Sequence, residues 1–417
     1  MRGDMPMDEI KLLTGSDMKG YVEIVANAFP MINLNTPEER EKFRQNIIKS
    51  IEAGFSAGAY GYFKDGELIG GTRLFDFPMN LFGHKILLGG LGLVAVHLAH
   101  KKEKVASQMI QYYFNHYDAK GVFLLGLYPF RPDFYKKMGF GFGGKAKQYQ
   151  ISPAKLPGGQ SKKSIRLLTI DDKRLILDYT QQYMEKRHGF IQLSEFELEH
   201  FFEENKKIVG FEKNGRLEGY MTFFFQFDPR EKYNIHVTGL FYNGREVLSE
   251  LLYFLHSQAD QVEKIIIDSH EEYFHFLTDN PSNGERAIFL HHQTNVEELG
   301  IMYRVINNRR LFESLSGHNF GGVTLALKLD IHDSYFPKNN ESLIIQFENG
   351  KPKPAETDNY QVEIEMDIAE FSSMVMGVIP FSQLYQYSKA EISHREFLPV
   401  IDKLFFTGEK PVCYTRF

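Results

Sequence analysis

The chain has no tryptophan and one cysteine, Cys413. A lone cysteine cannot form an intramolecular disulfide, which fits a reducing cytoplasm. No apolar run approaches the ~20 residues needed to span a bilayer as a helix. No apolar segment follows Met1-Arg2-Gly3-Asp4, so a signal peptide is not expected. Positive charge is not in excess either. Lys and Arg total 48 against 54 Asp and Glu, so the net charge is −6 and no general basic field argues for nucleic-acid binding. These absences predict a soluble, cytoplasmic protein that engages neither nucleic acid nor membrane. Without tryptophan, its cores must be built from 37 Phe and 22 Tyr.

At 417 residues the chain is too long for one ordinary core, and two or three domains are expected. Residues 8–53 read as helical with breaks. Thr36-Pro37-Glu38-Glu39 carries a helix start, with Thr36 as N-cap and Pro37 at the first position. Ala59 to Phe63 and Leu68 to Phe75 read as strands around a Lys64-Asp65-Gly66-Glu67 hairpin turn. A further strand ends near Val96, a helix runs from about Lys104 to Tyr117, Gly121 stops it, and Val122 to Leu127 is a buried strand. Residues 152–164, rich in Pro, Gly and Ser, read as a linker.

An internal echo follows. Tyr60 to Gly70 matches Val209 to Gly219 at Gly61/Gly210, Lys64/Lys213, Gly66/Gly215, Leu68/Leu217 and Gly70/Gly219. After each hairpin the order strand, helix, strand repeats, which predicts a duplicated domain. The second copy carries Tyr242-Asn243-Gly244-Arg245-Glu246 in place of a basic loop, a poor anion cradle, so a structural role is expected for it. From about Gly300, alternating strands around an Asn349-Gly350 turn and then helices near Ile368–Met376 and Phe381–Tyr387 predict a small α+β domain.

Acyl transfer from coenzyme A to an amine has three requirements. The pyrophosphate must be held by N–H groups at a helix start with cationic help. The thioester must be presented by a splayed strand. A base and an acid must move the protons. Val94 and Val96 are candidates for the strand, Lys101, Lys102, Lys104 and Val105 for the loop and first helical turn, and Tyr135 for the acid. Gly139 to Gly144 satisfies a Gly-x-Gly-x-x-Gly pattern but opens no helix, so it does not predict a dinucleotide site. His270 and His275 lie five apart and do not share a helical face, and no metal site is expected. His291-His292 is expected on the surface. Cys413 is expected in a core.

The first domain resembles the GNAT-family N-acetyltransferases, and the whole chain resembles the Eis (enhanced intracellular survival) acetyltransferases. The resemblance rests on Gly89-Gly90-Leu91-Gly92-Leu93-Val94-Ala95-Val96, on Tyr128-Pro129-Phe130, and on Phe134-Tyr135-Lys136-Lys137-Met138-Gly139-Phe140. Ile301 to Ile306, similar to the start of that family's third domain, and the aromatic C-terminus Phe417 add to it. It implies an α+β fold of two tandem GNAT-like domains, each a mixed sheet flanked by helices, followed by a sterol-carrier-protein-like α+β domain. The expected boundaries are 1–152, 165–297 and 298–417. It implies acetyl-CoA as co-substrate, a small-molecule primary amine as acceptor, no metal, and a homo-oligomer, a hexamer in the family. By it, Tyr135 is the general acid and the Phe417 carboxylate the general base.

Two positions depart from the family pattern. Its pyrophosphate loop reads Arg/Gln-x-x-Gly-x-Gly/Ala, whereas Lys101 to Ala106 places Lys104 at the first glycine and adds Glu103. Weakened or remodelled cofactor affinity is expected. Arg416 puts positive charge beside the terminal carboxylate, which disfavours an aminoglycoside acceptor. The alternative expectation is a catalytically degenerate member that binds a lipid or other apolar ligand.

Overall fold

The computed structural model describes residues 9–159, 161–204, 206–228 and 232–417. Met1–Asp8, including the Met1–Asp4 start, and Gln160 of the linker lie outside the described residues. Two units form, the first from residues 1–143, 301–411 and 415–417, the second from 144–300 and 412–414.

The first unit opens with strand β1 (Glu9–Leu12) and helices α1 (Gly15–Ala28) and α2 (Pro37–Glu52). Thr36 caps α2 as its sequence predicts. Its hydroxyl accepts from the Glu39 N–H at 3.1 Å, and Glu39 accepts from the Thr36 N–H at 2.8 Å. Strands β2 (Gly58–Lys64), β3 (Glu67–Leu81) and β4 (His84–Val96) follow, longer than their apolar runs suggest. Asp65 and Gly66 both take positive φ, 53° and 83°, as a two-residue primed turn requires. Helix α3 (Val105–Ala119), strand β5 (Leu124–Leu127), helix α4 (Pro132–Lys136) and strand β6 (Gly141–Phe142) complete this stretch. The α3 tyrosines fasten it to the sheet: Tyr113 donates to the Gly89 carbonyl at 2.6 Å and Tyr117 to the Phe75 carbonyl at 2.6 Å.

The second unit runs through β7 (Lys145–Ile151), β8 (Ile165–Leu168), α5 (Lys173–Met184), α6 (Glu195–Glu203), β9 (Lys207–Lys213), β10 (Arg216–Asp228), β11 (Lys232–Tyr242), α7 (Arg245–His256), β12 (Val262–Ser269) and β13 (Val296–Leu299). Its sheet order is β13-β7-β12-β11-β10-β9-β8. Three antiparallel strands, a helix and a parallel strand recur in the order of the first unit, with β11 parallel to β12 as β4 is to β5. The echo extends to side chains. Lys64 bonds Glu103 at 2.8 Å, and Lys213 bonds Glu246 at 3.0 Å, so each hairpin is tied to the start of the following helix. No helix of the described residues is long and apolar enough to cross a membrane.

The chain then returns to the first unit with β14 (Met302–Val305), α8 (Asn308–Ser314), β15 (Leu325–His332), β16 (Leu343–Glu348), β17 (Lys351–Ala355), β18 (Val362–Asp367), α9 (Ile368–Val375), α10 (Phe381–Gln386), β19 (Ala390–Ile392) and α11 (Leu398–Leu404). Two findings differ from the sequence reading. Ile301–Ile306 does not simply open the third domain, because β14 pairs with β5 and β6 inside the first sheet, whose order is β1-β2-β3-β4-β5-β14-β6. Conversely, residues 144–151 do not close the first domain, because β7 pairs only with β12 and β13. A short strand carries no mark of which sheet will receive it, so periodicity alone could not place either.

The third sheet, β17-β16-β15-β18-β19, belongs to the first unit. All eight residues of α9 are buried. Ser372 on α9 accepts from the Val305 N–H, and Ser373 donates to the Phe142 carbonyl, both at 3.0 Å, which ties α9 to β14 and β6. Arg304 on β14 and Asp333 after β15 form a fully buried ion pair at 2.7 Å, and Arg304 also donates to the Gly139 carbonyl at 3.3 Å. The turn after Tyr135 is thereby held to both sheets of its unit.

Candidate active site

The site begins where two parallel strands part. β4 and β5 pair from Leu88/Leu124 to Leu91/Leu127, and beyond that β4 continues to Val96 with β3 as its only strand neighbour among the described residues. The β5-facing edge of Gly92 to Val96 is therefore open backbone, the geometry in which an extended ligand with amide groups can add as a strand. Leu93 takes φ 49° at this point, and its carbonyl accepts from the Tyr21 hydroxyl at 2.7 Å. Val94 and Val96 are half-buried along this edge.

The loop beyond β4 leads into α3. Lys101, Lys102 and Lys104 are exposed, and none forms an ion pair among the described residues. The backbone N–H groups of Lys101, Lys102, Lys104, Val105 and Ala106 donate no hydrogen bond among the described residues. Helix α3 has no acidic residue in its first turn and no side-chain cap. Free N–H groups, a helix N-terminus and three ammonium groups make a fitting cradle for a pyrophosphate. Lys104 adopts φ 65° and ψ 10°, so a lysine holds the left-handed conformation for which the family pattern has glycine. Glu103 is engaged by Lys64 at 2.8 Å and His100 at 3.2 Å, and these bonds, Lys64 first, hold its carboxyl below the usual range.

Tyr135 stands on the short helix α4, which Pro132 opens. Its side chain is 7% exposed and packs against the rings of Phe134 and Phe140 at 5.2 and 5.9 Å. Its hydroxyl has no hydrogen-bond partner among the described residues, and burial pushes its pKa up to about 12. The phenol keeps its proton at neutral pH and is free to give it to an incoming group.

Phe417, far away in sequence, lies at the fork. Its ring packs on Phe77 at 4.7 Å, Phe75 at 5.4 Å and Tyr128 at 5.5 Å. Its terminal carboxyl carbon lies 3.0 Å from where a Cβ on Gly92 would stand. Any side chain there would crowd it. The terminal carboxylate has neither hydrogen bond nor ion pair among the described residues. Gly92, Phe75, Phe77 and Tyr128 surround Phe417, a grouping that sequence reasoning did not find. The alternation Arg73-Leu74-Phe75-Asp76-Phe77 signals a shared face, but not what sits on it.

In the second unit the corresponding place is taken by the chain itself. Pairing of β11 with β12 ends at Val237/Ile267. Tyr414 packs there on Phe241 at 5.0 Å, His270 at 4.8 Å and Phe190 at 5.9 Å. His270 Nε2 donates to the Cys413 carbonyl at 3.0 Å, so His270 and the buried Cys413 serve this packing. His291 and His292 are exposed, and among the described residues no group of three His, Cys, Asp or Glu side chains is placed to hold a metal ion.

Residues 9–143 match the acetyltransferase (GNAT) domain family, and residues 311–414 match the sterol carrier protein domain family. The first match ends at Gly143, where the second unit begins. No curated protein matches the chain in sequence. Solved structures match its fold from end to end. A GCN5-related N-acetyltransferase from Anabaena variabilis has a TM-score of 0.83 at 15% identity, covering 99% of this chain and 100% of that one. A probable N-acyltransferase from Enterococcus faecalis has a TM-score of 0.83 at 17% identity with the same coverage. Eis1 from Mycobacterium abscessus has a TM-score of 0.76 at 15% identity, again covering 99% and 100%. The chain thus carries a GNAT acetyltransferase domain and a sterol carrier protein domain in an α+β fold shared with these proteins.

Proposed function

We propose that the chain transfers an acetyl group directly from acetyl-CoA to a primary amine of a small molecule. The Phe417 carboxylate takes a proton from the acceptor, whose nitrogen lone pair attacks the thioester carbonyl. The carbon–sulfur bond breaks, and the Tyr135 hydroxyl protonates the departing thiolate. Lys101, Lys102, Lys104 and the N–H groups around Val105 would hold the pyrophosphate, and the open edge at Val94 and Val96 the pantetheine arm.

The observation that carries this reading is the unpaired terminal carboxylate seated against Gly92, at the parting of β4 and β5. A carboxylate there and a buried neutral phenol at Tyr135 are the two chemical types, base and acid, that this transfer requires. Calorimetry with acetyl-CoA tests the first half; absence of binding at millimolar concentration would sink the reading. Tyr135→Phe, or a chain extended beyond Phe417, tests the second. Each should lower thiol release from acetyl-CoA by roughly 100-fold or more with the melting temperature kept. Undiminished turnover in both would remove the proton path.

A further inference from the structure

β3 presents three residues on the face that carries Phe417. Arg73, Phe75 and Phe77 alternate along the strand, and Arg73 is registered directly opposite Gly92. The Arg73 guanidinium lies over the Phe75 ring at 4.7 Å, the ring that also meets Phe417. Its Nη2 donates to the Ser50 hydroxyl at 2.7 Å, and that hydroxyl donates in turn to the Ile47 carbonyl at 2.6 Å. Its Nε is sealed from solvent without a hydrogen-bond partner. No carboxylate lies within ion-pair distance of Arg73 among the described residues. Burial lowers its pKa only to about 10, so it stays charged at neutral pH.

One sheet face therefore carries a half-buried cation without an anion and, next to it, a terminal carboxylate without a cation. Yet the two do not pair with each other. An uncompensated guanidinium is costly to cover, and its planar fork suits a carboxylate. We propose that Arg73 receives a carboxylate of the acceptor, so that the acceptor is a zwitterionic amine of the amino-acid type, its nitrogen at the Phe417 carboxylate and its own carboxylate at Arg73. This rests on the acetyl-transfer reading and narrows its substrate class. It disfavours a polycation, which Arg73 would repel. Phe55, whose ring lies 5.6 Å from those of both Phe75 and Phe77, gives the same face an apolar wall for the acceptor's side chain.

The test compares L-amino acids with the matching amino-acid amides, using the full chain, acetyl-CoA and a thiol-release readout. The acids should exceed their amides in kcat/KM by roughly tenfold or more, chiefly through KM. Arg73→Gln should bring that ratio close to one, and Arg73→Lys, which keeps the charge without the fork, should leave it in between. Amides that match or surpass the acids in the wild type overturn the proposal, as does a ratio that survives Arg73→Gln. Wild-type discrimination decides the matter if Arg73→Gln does not fold. If no amine is acetylated, calorimetry of the same amino acids against the wild type in the presence of CoA decides. Binding of acids over amides supports the assignment although the transfer reading has failed, and absence of binding overturns it.

Discussion

At the scale of the residue, Lys104 sits where its own chemistry is least at ease. Left-handed backbone costs an L-residue roughly 1–2 kcal/mol, which glycine avoids at the expense of about 0.5–1 kcal/mol in chain entropy. Lys104→Gly should therefore stabilise the protein by about 0.5–1 kcal/mol, read as a higher urea midpoint. Lys104→Val should lower the midpoint, since a β-branched residue tolerates this conformation worse. His318 offers a second residue-scale test. Its ring is sandwiched between Phe82 at 4.7 Å and Phe320 at 4.6 Å. Burial, then the charges of His84 and Lys351, lower its pKa from 6.5 to about 4. The unfolded chain thus takes up this proton before the folded one, so stability is full above about pH 6.5 and falls as pH drops toward 4. Discounted for the ring's partial exposure, the loss is at most about 1–2 kcal/mol. His318→Phe should flatten that limb of a urea-midpoint series from pH 7.5 to 4.5; an unchanged slope would refute the assignment. The places of Tyr135 on a short helix and of Lys104 at a helix start could be read from the sequence because each belongs to a local pattern. Arg73 and Gly92 could not, because their meaning depends on the register of β3 against β4 and on a chain end more than 300 residues away.

At the scale of the element, β4 does two jobs with one backbone. Its middle, Leu88 to Leu91, is paired on both sides, and from Gly92 onward one edge is open. The duplicated hairpin, the helix after it and the parallel strand were legible because turn chemistry and periodicity are local. The parting of β4 from β5 was not, because unpaired backbone has no side-chain signature. Gly92 stands at that transition, and its missing side chain is the seat of the terminal carboxylate. Gly92→Ala would place a methyl 3.0 Å from the Phe417 carboxyl carbon and 3.0 Å from the Phe75 ring. The tail can shift more easily than the sheet. The expected result is a fall in turnover on the order of 10- to 100-fold, because a displacement of about 1 Å suffices for that. Stability should change by less than about 2 kcal/mol, since only one methyl is added. Full activity in a folded Gly92→Ala protein would mean that the carboxylate is not positioned by β4.

At the scale of the whole molecule, the two sheets exchange strands along the chain. Linker composition at 152–164 suggested a first domain of 1–152, but composition marks where the chain is loosely structured, not where a sheet is complete. A fragment of residues 1–152 would carry β7 without β12 and β13, and would lack β14 between β5 and β6. β6 has only two residues and among the described residues pairs with no other strand, so the turn beyond Tyr135 would lose its strand and its Arg304 contact together. Buried backbone groups left unpaired on β5 would add to the cost, and its exposed edge would invite aggregation. This fragment should show no cooperative unfolding by circular dichroism. Joining Gly143 to Ile301 through Asn-Gly, in place of residues 144–300, should rescue it. The Gly143 N–H already donates to the Ile301 carbonyl at 3.0 Å, and β6 runs antiparallel to β14, so a two-residue primed turn closes the hairpin without strain. A cooperative transition in the joined chain, absent from residues 1–152, would establish that the first sheet needs residues 301–417, β14 among them, to fold. A stably folded 1–152 fragment would show instead that the sheet can do without it.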